Sequence, residues 1–261
     1  WRKSGGVRRS LGWVPIGSCM ASWKNGQVFK RQQFKVWDSW GLSQHKFRSA
    51  SFTEDARGRW YFNVVVDAQP QASKGQDAVG LDLGLKDTAT CSDGETLEAG
   101  RFYRDLEPKL AVAQRARNTR RVKALHAKIK HRRADALHKF SRQLVRRSGE
   151  IYVGDVSPSG LAKTKMAKSV LDAGWGQLRM MLEYKCAHAG IVFAEVGEAY
   201  STRTCSCCGV IPSSSPKGRA GLRIRAWTCS ECGAVHDRDV NAAINILAAG
   251  KRRLVEERVA A

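Results

Sequence analysis

Four cysteines set the tightest constraint on this chain. The segments "CSCCG" and "CSECG" place Cys205, Cys208, Cys229 and Cys232 as two C-x2-C pairs with twenty residues between them. Two residues between sulfurs let one knuckle turn offer both thiolates to a tetrahedral ion, and two such knuckles close a four-cysteine site. Gly209 and Gly233 follow the pairs and permit the turn's positive φ. Four thiolates leave no open coordination position, so the pattern predicts a structural metal, Zn2+, with iron at an all-sulfur site as the alternative. Any fold must therefore bring residues 205 and 229 together. The intervening "SSSPKGRAGLRIRAW" reads as a basic loop, facing nucleic acid or solvent. The other cysteines, Cys19, Cys91, Cys186 and Cys207, are scattered. That usage predicts a reducing, cytoplasmic setting and not a disulfide framework.

Charge narrows the partners. The 261 residues carry 45 Lys+Arg against 24 Asp+Glu, a formal net charge of +21, while 43% apolar residues suffice for a core. Such an excess is either a solvated basic surface or the footprint of a polyanion, and nucleic acid is the polyanion expected. A prokaryotic protein of this kind would associate with the nucleoid. No apolar run reaches the roughly 18 residues of a membrane span, and "WRKSGGVRRSLGW" has no signal-peptide core. The missing Met predicts a truncated or processed start.

The pattern along the chain predicts mixed α and β structure. "GRWYFNVVVD" (58–67) is a strand dense in aromatic and β-branched residues, and "GWVPIG" and "GQVFKRQQFKVW" read as shorter ones. The polar "AQPQASKGQD" reads as a linker. Three strands follow, through 79–83, 88–91 and 96–98, with "SDGE" as a hairpin turn. Residues 101–150 hold sixteen Lys and Arg against four acids, with an apolar stripe of Val122, Leu125, Ile129, Leu137, Phe140 and Leu144 at helical spacing. On this helix Arg115, Arg117, Arg120, Arg121, Lys128, Arg132 and Arg133 are candidates to follow phosphates. A strand "EIYVGDV", a helix over 167–190 with Leu171, Trp175, Leu178 and Leu182 on one side, a strand "IVFAEVGEAY" and a closing helix "DVNAAINILAAG" complete the order. Strands followed by alternating α and β predict a mixed sheet with helices on its faces.

Two acids stand out. Asp82 lies in the otherwise apolar "GLDLGLKD", where an unpaired carboxylate is costly and must neutralise, pair or hold a cation. In "HDRDVNAAIN", Asp237 fits a helix N-cap and Asp239 begins the helix proper. Converging acids in a basic protein point to a divalent-metal phosphodiesterase, whose two ions sit about 3.5–4 Å apart and generally need a third carboxylate.

These motifs in this order ("GLDLGLKD", "DAGWGQLRMMLEYKCAHAG", "STRTCSCCG", "WTCSECG", "HDRDVNAAINIL") resemble the RuvC-type half of the transposon-encoded TnpB proteins, relatives of type V CRISPR effectors and Fanzor proteins. The resemblance spans residues 78–250, and residues 1–67 resemble part of the family's β-barrel wedge domain. It implies an α/β, RNase H-like mixed sheet with helices on both faces and an inserted zinc ribbon. The implied boundaries are 1–76 for a partial wedge, 77–200 for the first nuclease part, 201–236 for the ribbon and 237–261 for the last helix and tail. It further implies a guide RNA, target DNA, catalytic Mg2+ and RNA-guided cleavage of DNA.

Carried over by motif, the first and last catalytic acids fall on Asp82 and Asp239. The middle acid falls on Gly154 in "EIYVGDVSPSG", and glycine cannot ligate a metal. Either the chain is a nuclease-inactive RNA-guided binder or decayed remnant, or another acid has taken the place: Asp155, Glu195 or Glu198. Alternation along a strand turns Asp155 away from the side Gly154 faces, and Glu195 lies inside its strand. Glu198 resembles the relocated glutamate of Fanzor proteins and some TnpB relatives, so the expected set is Asp82, Glu198 and Asp239.

Overall fold

The computed structural model describes residues 10–17, 22–24, 27–30, 32–35, 41–69, 72–73, 75–221 and 223–260. The basic opening stretch and Cys19 lie outside them. The chain divides into two compact units: one runs to Gln69 and takes in Val112–His126, and the other holds the remainder.

The first unit is β-rich. Strands β1 (Trp13–Ile16), β5 (Lys46–Glu54) and β6 (Trp60–Asp67) form one antiparallel sheet in the order β1-β5-β6. Strands β2 (Ser22–Lys24), β3 (Gln27–Lys30) and β4 (Gln32–Lys35) form a second, as a meander. Phe52 and Phe62 face each other across β5 and β6 with ring centroids 4.9 Å apart, a cross-strand pair of the kind that fixes register.

The second unit is built on five strands: β7 (Asp77–Asp82), β8 (Asp87–Cys91), β9 (Thr96–Glu98), β10 (Ser148–Gly154) and β11 (Val192–Val196). Their order is β11-β10-β7-β8-β9, with β7, β10 and β11 parallel and β8 and β9 antiparallel. Helices α1 (Glu107–Arg115) and α2 (Thr119–Arg147) connect β9 to β10. Helices α3 (Pro158–Leu161), α4 (Ala167–Ala173) and α5 (Trp175–Ala189) connect β10 to β11. After β11 come the short α6 (Gly218–Gly221), the hairpin β12 (Ala226–Thr228) and β13 (Val235–Asp237), and the long α7 (Arg238–Ala260). Among the described residues no helix is long and apolar enough to cross a membrane.

Side chains alternate along β7 and β10, so each strand feeds two cores. Val79, Leu81, Ile151 and Val153 pack with Leu137 and Leu144 of α2 and with Leu178 and Leu182 of α5. Tyr152 of β10 and Val196 of β11 pack on the opposite side with Ile246 of α7. Ala242 and Ala243 are fully buried, so small residues let α7 approach closely. The same alternation assigns the last residues of β7 and β10, Asp82 and Gly154, to the α7 side.

Two expectations fail. The basic stretch is not one long element: α1 ends at Arg115 and α2 begins at Thr119, with Arg117 at a φ of 51° in the turn between them. The single helix over 167–190 breaks at Gly174, whose φ of 74° ends α4 and begins α5. Leu171 is therefore 62% exposed instead of joining Leu178 and Leu182. A side chain at 174 would meet Arg133 Cδ at 2.9 Å, so glycine serves both the turn and the close approach. Trp175 is buried as expected, and its Nε1 donates to the carbonyls of Gly84 (3.2 Å) and Thr88 (3.1 Å).

Candidate active site and metal centre

The parallel register brings three strand ends together. Val153 pairs with Leu81 and Gly154 with Val196, so β7 ends at Asp82 beside the end of β10, and Glu198 follows β11 by two residues. A Cβ built on Gly154 would lie 2.9 Å from Glu198 Oε2, 3.4 Å from Glu198 Cβ and 3.1 Å from Ile246 Cδ1. The Glu198 side chain therefore fills the space that a residue at 154 would claim. Asp155 is exposed, and its Oδ1 accepts the backbone N–H of Glu198 at 3.1 Å. Glu195 is also exposed and pairs with Arg179 at 2.6 Å.

Asp237 is the cap of α7: its Oδ1 accepts the N–H groups of Asp239 (2.9 Å) and Val240 (3.0 Å). This leaves Asp239 in the first helical turn, where its Oδ2 meets Arg225 Nη1 at 2.9 Å. Burial, reinforced by the charges of Asp239 and Glu198 and opposed by Arg238, pushes the Asp82 carboxyl up to about 7. Burial also raises Glu198, with the charge of Asp155 adding and Arg179 opposing. An acid raised by neighbouring carboxylates, as Asp82 is, is relieved by a cation between them. The three carboxylates still sit more openly than the tightest potential ligand groups. Among the described residues, groups whose ligand atoms all lie within 4.8 Å are the four cysteines and Cys91–Asp93–Glu95. The latter is closed by Arg147, which pairs with Asp93 and, at 2.8 Å, with Glu95.

The four cysteine sulfurs converge, with Cys205 and Cys232 Sγ 3.6 Å apart and Cys208 and Cys229 Sγ 3.8 Å apart. This donor set fits a tetrahedral metal. Cys207 is exposed and outside the group. His236, on β13, places Nε2 3.0 Å from Cys205 Sγ, and its ring lies 4.7 Å from that of Trp227.

Three contributors escape sequence reading. Asn241 is buried; its Oδ1 accepts the Ser206 N–H at 2.9 Å and its Nδ2 donates to the carbonyls of Ser201 (3.2 Å) and Thr204 (2.8 Å). Asn245 Nδ2 donates to the same two carbonyls at 2.8 Å each. Their spacing of four on α7 was the available signal, but it does not say what they grip. Arg225 is the third, fourteen residues before the acid it meets.

Of the basic candidates, Arg115, Arg117, Arg120, Arg121, Lys128 and Arg132 are exposed. Arg133 differs: it is half-buried, and its Nη1 donates to the Leu171 carbonyl at 3.0 Å, near the end of α4.

Comparison with known proteins follows this anatomy. Residues 61–165 match the family "Probable transposase" (OrfB of IS605), and residues 175–246 match the family "Cas12f1-like, TNB domain". A Streptomyces pristinaespiralis protein named "Putative RNA-guided DNA endonuclease" is 36% identical over 88% of this chain and 60% of its own. The Cas12f1 endodeoxyribonuclease of Sulfoacidibacillus thermotolerans is 25% identical over 79% of this chain and 54% of its own. The chain thus spans less than two thirds of the length of these relatives. The fold is similar to that in a cryo-EM structure of a Cas12f1–sgRNA–target DNA complex, with a TM-score of 0.60 at 13% identity over 94% of this chain and 63% of that one. Two family profiles in tandem, and relatives along most of its length with names such as "Putative RNA-guided DNA endonuclease" and "TnpB-like protein", thus make this chain similar to the TnpB proteins.

Proposed function

We propose that the second unit is an RNase H-like, RuvC-type nuclease core, and that the chain serves RNA-guided hydrolysis of DNA phosphodiester bonds. The names of its relatives support the guided-endonuclease part of this reading. The Glu198 carboxylate beside Gly154 supports the catalytic part, because it supplies a third acid where the strand end lacks one. Asp82, Glu198 and Asp239 would hold two Mg2+ ions, which when bound supply an activated water and stabilise the leaving 3′ oxygen. The four cysteines would hold a structural Zn2+.

The chain's own residues set the conditions for that chemistry. Asp82 gives up its proton to become a ligand, and Arg225 releases the Asp239 carboxylate. Asp155 fixes the backbone that carries Glu198, which makes it a positioning residue in this scheme. Exposed arginines of α1 and α2 meet phosphates without reading bases, and sequence choice rests on guide pairing.

The test recovers the RNA that co-purifies with the protein and uses it to programme cleavage of matched DNA in Mg2+. Glu198→Ala is expected to slow cutting by more than about a hundredfold, beyond the loss typical of groups one step removed from a metal. Asp155→Ala is expected to slow it by about tenfold. If Glu198→Ala cuts as fast as the unmodified chain, the relocated acid is wrong. Guide-dependent binding without cutting by the unmodified chain would favour a silent binder.

A further inference from the structure

Two residues beyond Glu198, Tyr200 adopts a φ of 64°. For a bulky residue this is a true outlier, since the left-handed region suits Gly, Asn and Asp. The conformation is held firmly. The Tyr200 carbonyl accepts the N–H groups of Arg203 and Thr204, each at 2.9 Å, and the Thr204 hydroxyl at 3.1 Å. The next residue, Ser201, donates its N–H to the Glu198 carbonyl at 3.0 Å. Its own carbonyl takes the amides of Asn241 and Asn245.

All this ordering leaves most of the residue in solvent: Tyr200 is 61% exposed. A lone exposed aromatic is ordinary; one locked in a disfavoured backbone beside a candidate catalytic acid calls for a use. Its immediate company indicates which use. The Arg203 guanidinium lies 5.6 Å from the ring centroid, and its Nε is buried with no hydrogen-bond partner among the described residues. An aromatic face backed by a cation is the combination on which single-stranded nucleic acid stacks.

We propose that Tyr200 and Arg203 form a subsite for single-stranded DNA, in which one unpaired base stacks on the Tyr200 ring and the neighbouring phosphate meets Arg203. Tyr200 lies no more than about 7 Å of chain from Glu198, about two nucleotide steps at the 3.4 Å rise of a DNA strand. The stacked base would thus belong to the strand entering the acid site. The proposal rests on the reading of Asp82, Glu198 and Asp239 as a DNA-cutting site. It makes Tyr200 a positioning residue that fixes which phosphate arrives there.

Binding alone tests it, with no bond cut. The probe is a single-stranded DNA oligonucleotide carrying 2-aminopurine, added to the full chain in an Asp82→Ala background. Fluorescence quenching reads stacking and anisotropy reads affinity. Tyr200→Asn removes the ring but keeps a residue that tolerates the left-handed backbone; Tyr200→Phe keeps the ring. Tyr200→Asn should weaken binding about tenfold and abolish the quenching, as loss of one aromatic stack does. Tyr200→Phe should stay within about twofold of its parent. Circular dichroism and zinc content establish that each variant is folded. Equal binding and quenching by Tyr200→Asn and its parent would overturn the subsite, as would equal losses in both variants. Because nothing is cleaved, a nuclease-dead parent that still quenches separates failure of the catalytic reading from failure of this one.

Discussion

Asp82 carries the greatest electrostatic tension in the acid site. Its carboxyl is pushed from 3.8 to about 7 by burial and by the charges of Asp239 and Glu198. The folded chain therefore keeps a proton there that the unfolded chain releases above about pH 4. A raised carboxyl favours folding at low pH, and that advantage is lost as pH climbs through the folded value. With zinc retained and no magnesium added, Asp82→Asn should raise Tm at pH 8 by at least about 2–4 °C, the change worth 1 kcal/mol at this size. At pH 5 the rise should be distinctly smaller, because only the first part of the interval between the unfolded and folded values has been crossed. Equal shifts at the two pH values in thermal melts would show that charge is not what strains this residue. The affinity for added magnesium should rise over the same interval in the unsubstituted protein, because the ion must displace that proton.

Among the elements, α7 joins the acid site to the cysteine ribbon. Asp239 sits in its first turn, and further along Asn241 and Asn245 grip the carbonyls of Ser201 and Thr204 in the segment between Glu198 and the first knuckle. Asn241→Ala leaves the part-buried N–H of Ser206 without its acceptor, a loss toward the lower end of about 1–3 kcal/mol. Tm should fall accordingly, and a chelator should strip the zinc faster than from the unsubstituted protein; unchanged zinc-release kinetics would refute the coupling. Much of this element-level plan is legible in the sequence. Alternation in "AVGLDL" and "EIYVG" marks the strands and the face of Asp82, and Asp237 marks the start of α7 because a capping oxygen acts locally. What stays hidden is long-range. Nothing near Arg225 announces Asp239, and nothing near Asn241 announces Ser201, forty residues earlier. The α4–α5 break is hidden for another reason: helices tolerate an isolated glycine, and only the stem of Arg133 against Gly174 reveals the need for it.

At the scale of the whole molecule, a net charge of +21 makes any polyanion sticky, so affinity alone says little about specific docking. The salt dependence says more. Replacing Arg120, Arg121 and Arg132 together by alanine should flatten the slope of log K for DNA against log salt by about 2 to 3, close to one for each phosphate no longer neutralised. Arg133→Ala should leave the slope alone and lower Tm, since its guanidinium is engaged with the Leu171 carbonyl. Identical slopes in titrations of all three proteins would refute a phosphate-tracking role for these helices. The glycine at 154 has a historical consequence. With Glu198 Oε2 2.9 Å from any Cβ there, an acid returning at 154 would have to share its space with the flexible end of Glu198, which would swing aside to admit it. If Glu198 is the third ligand as proposed, a lineage that lost it before an acid returned at 154 would pass through a form with neither, so the two positions should change together or not at all.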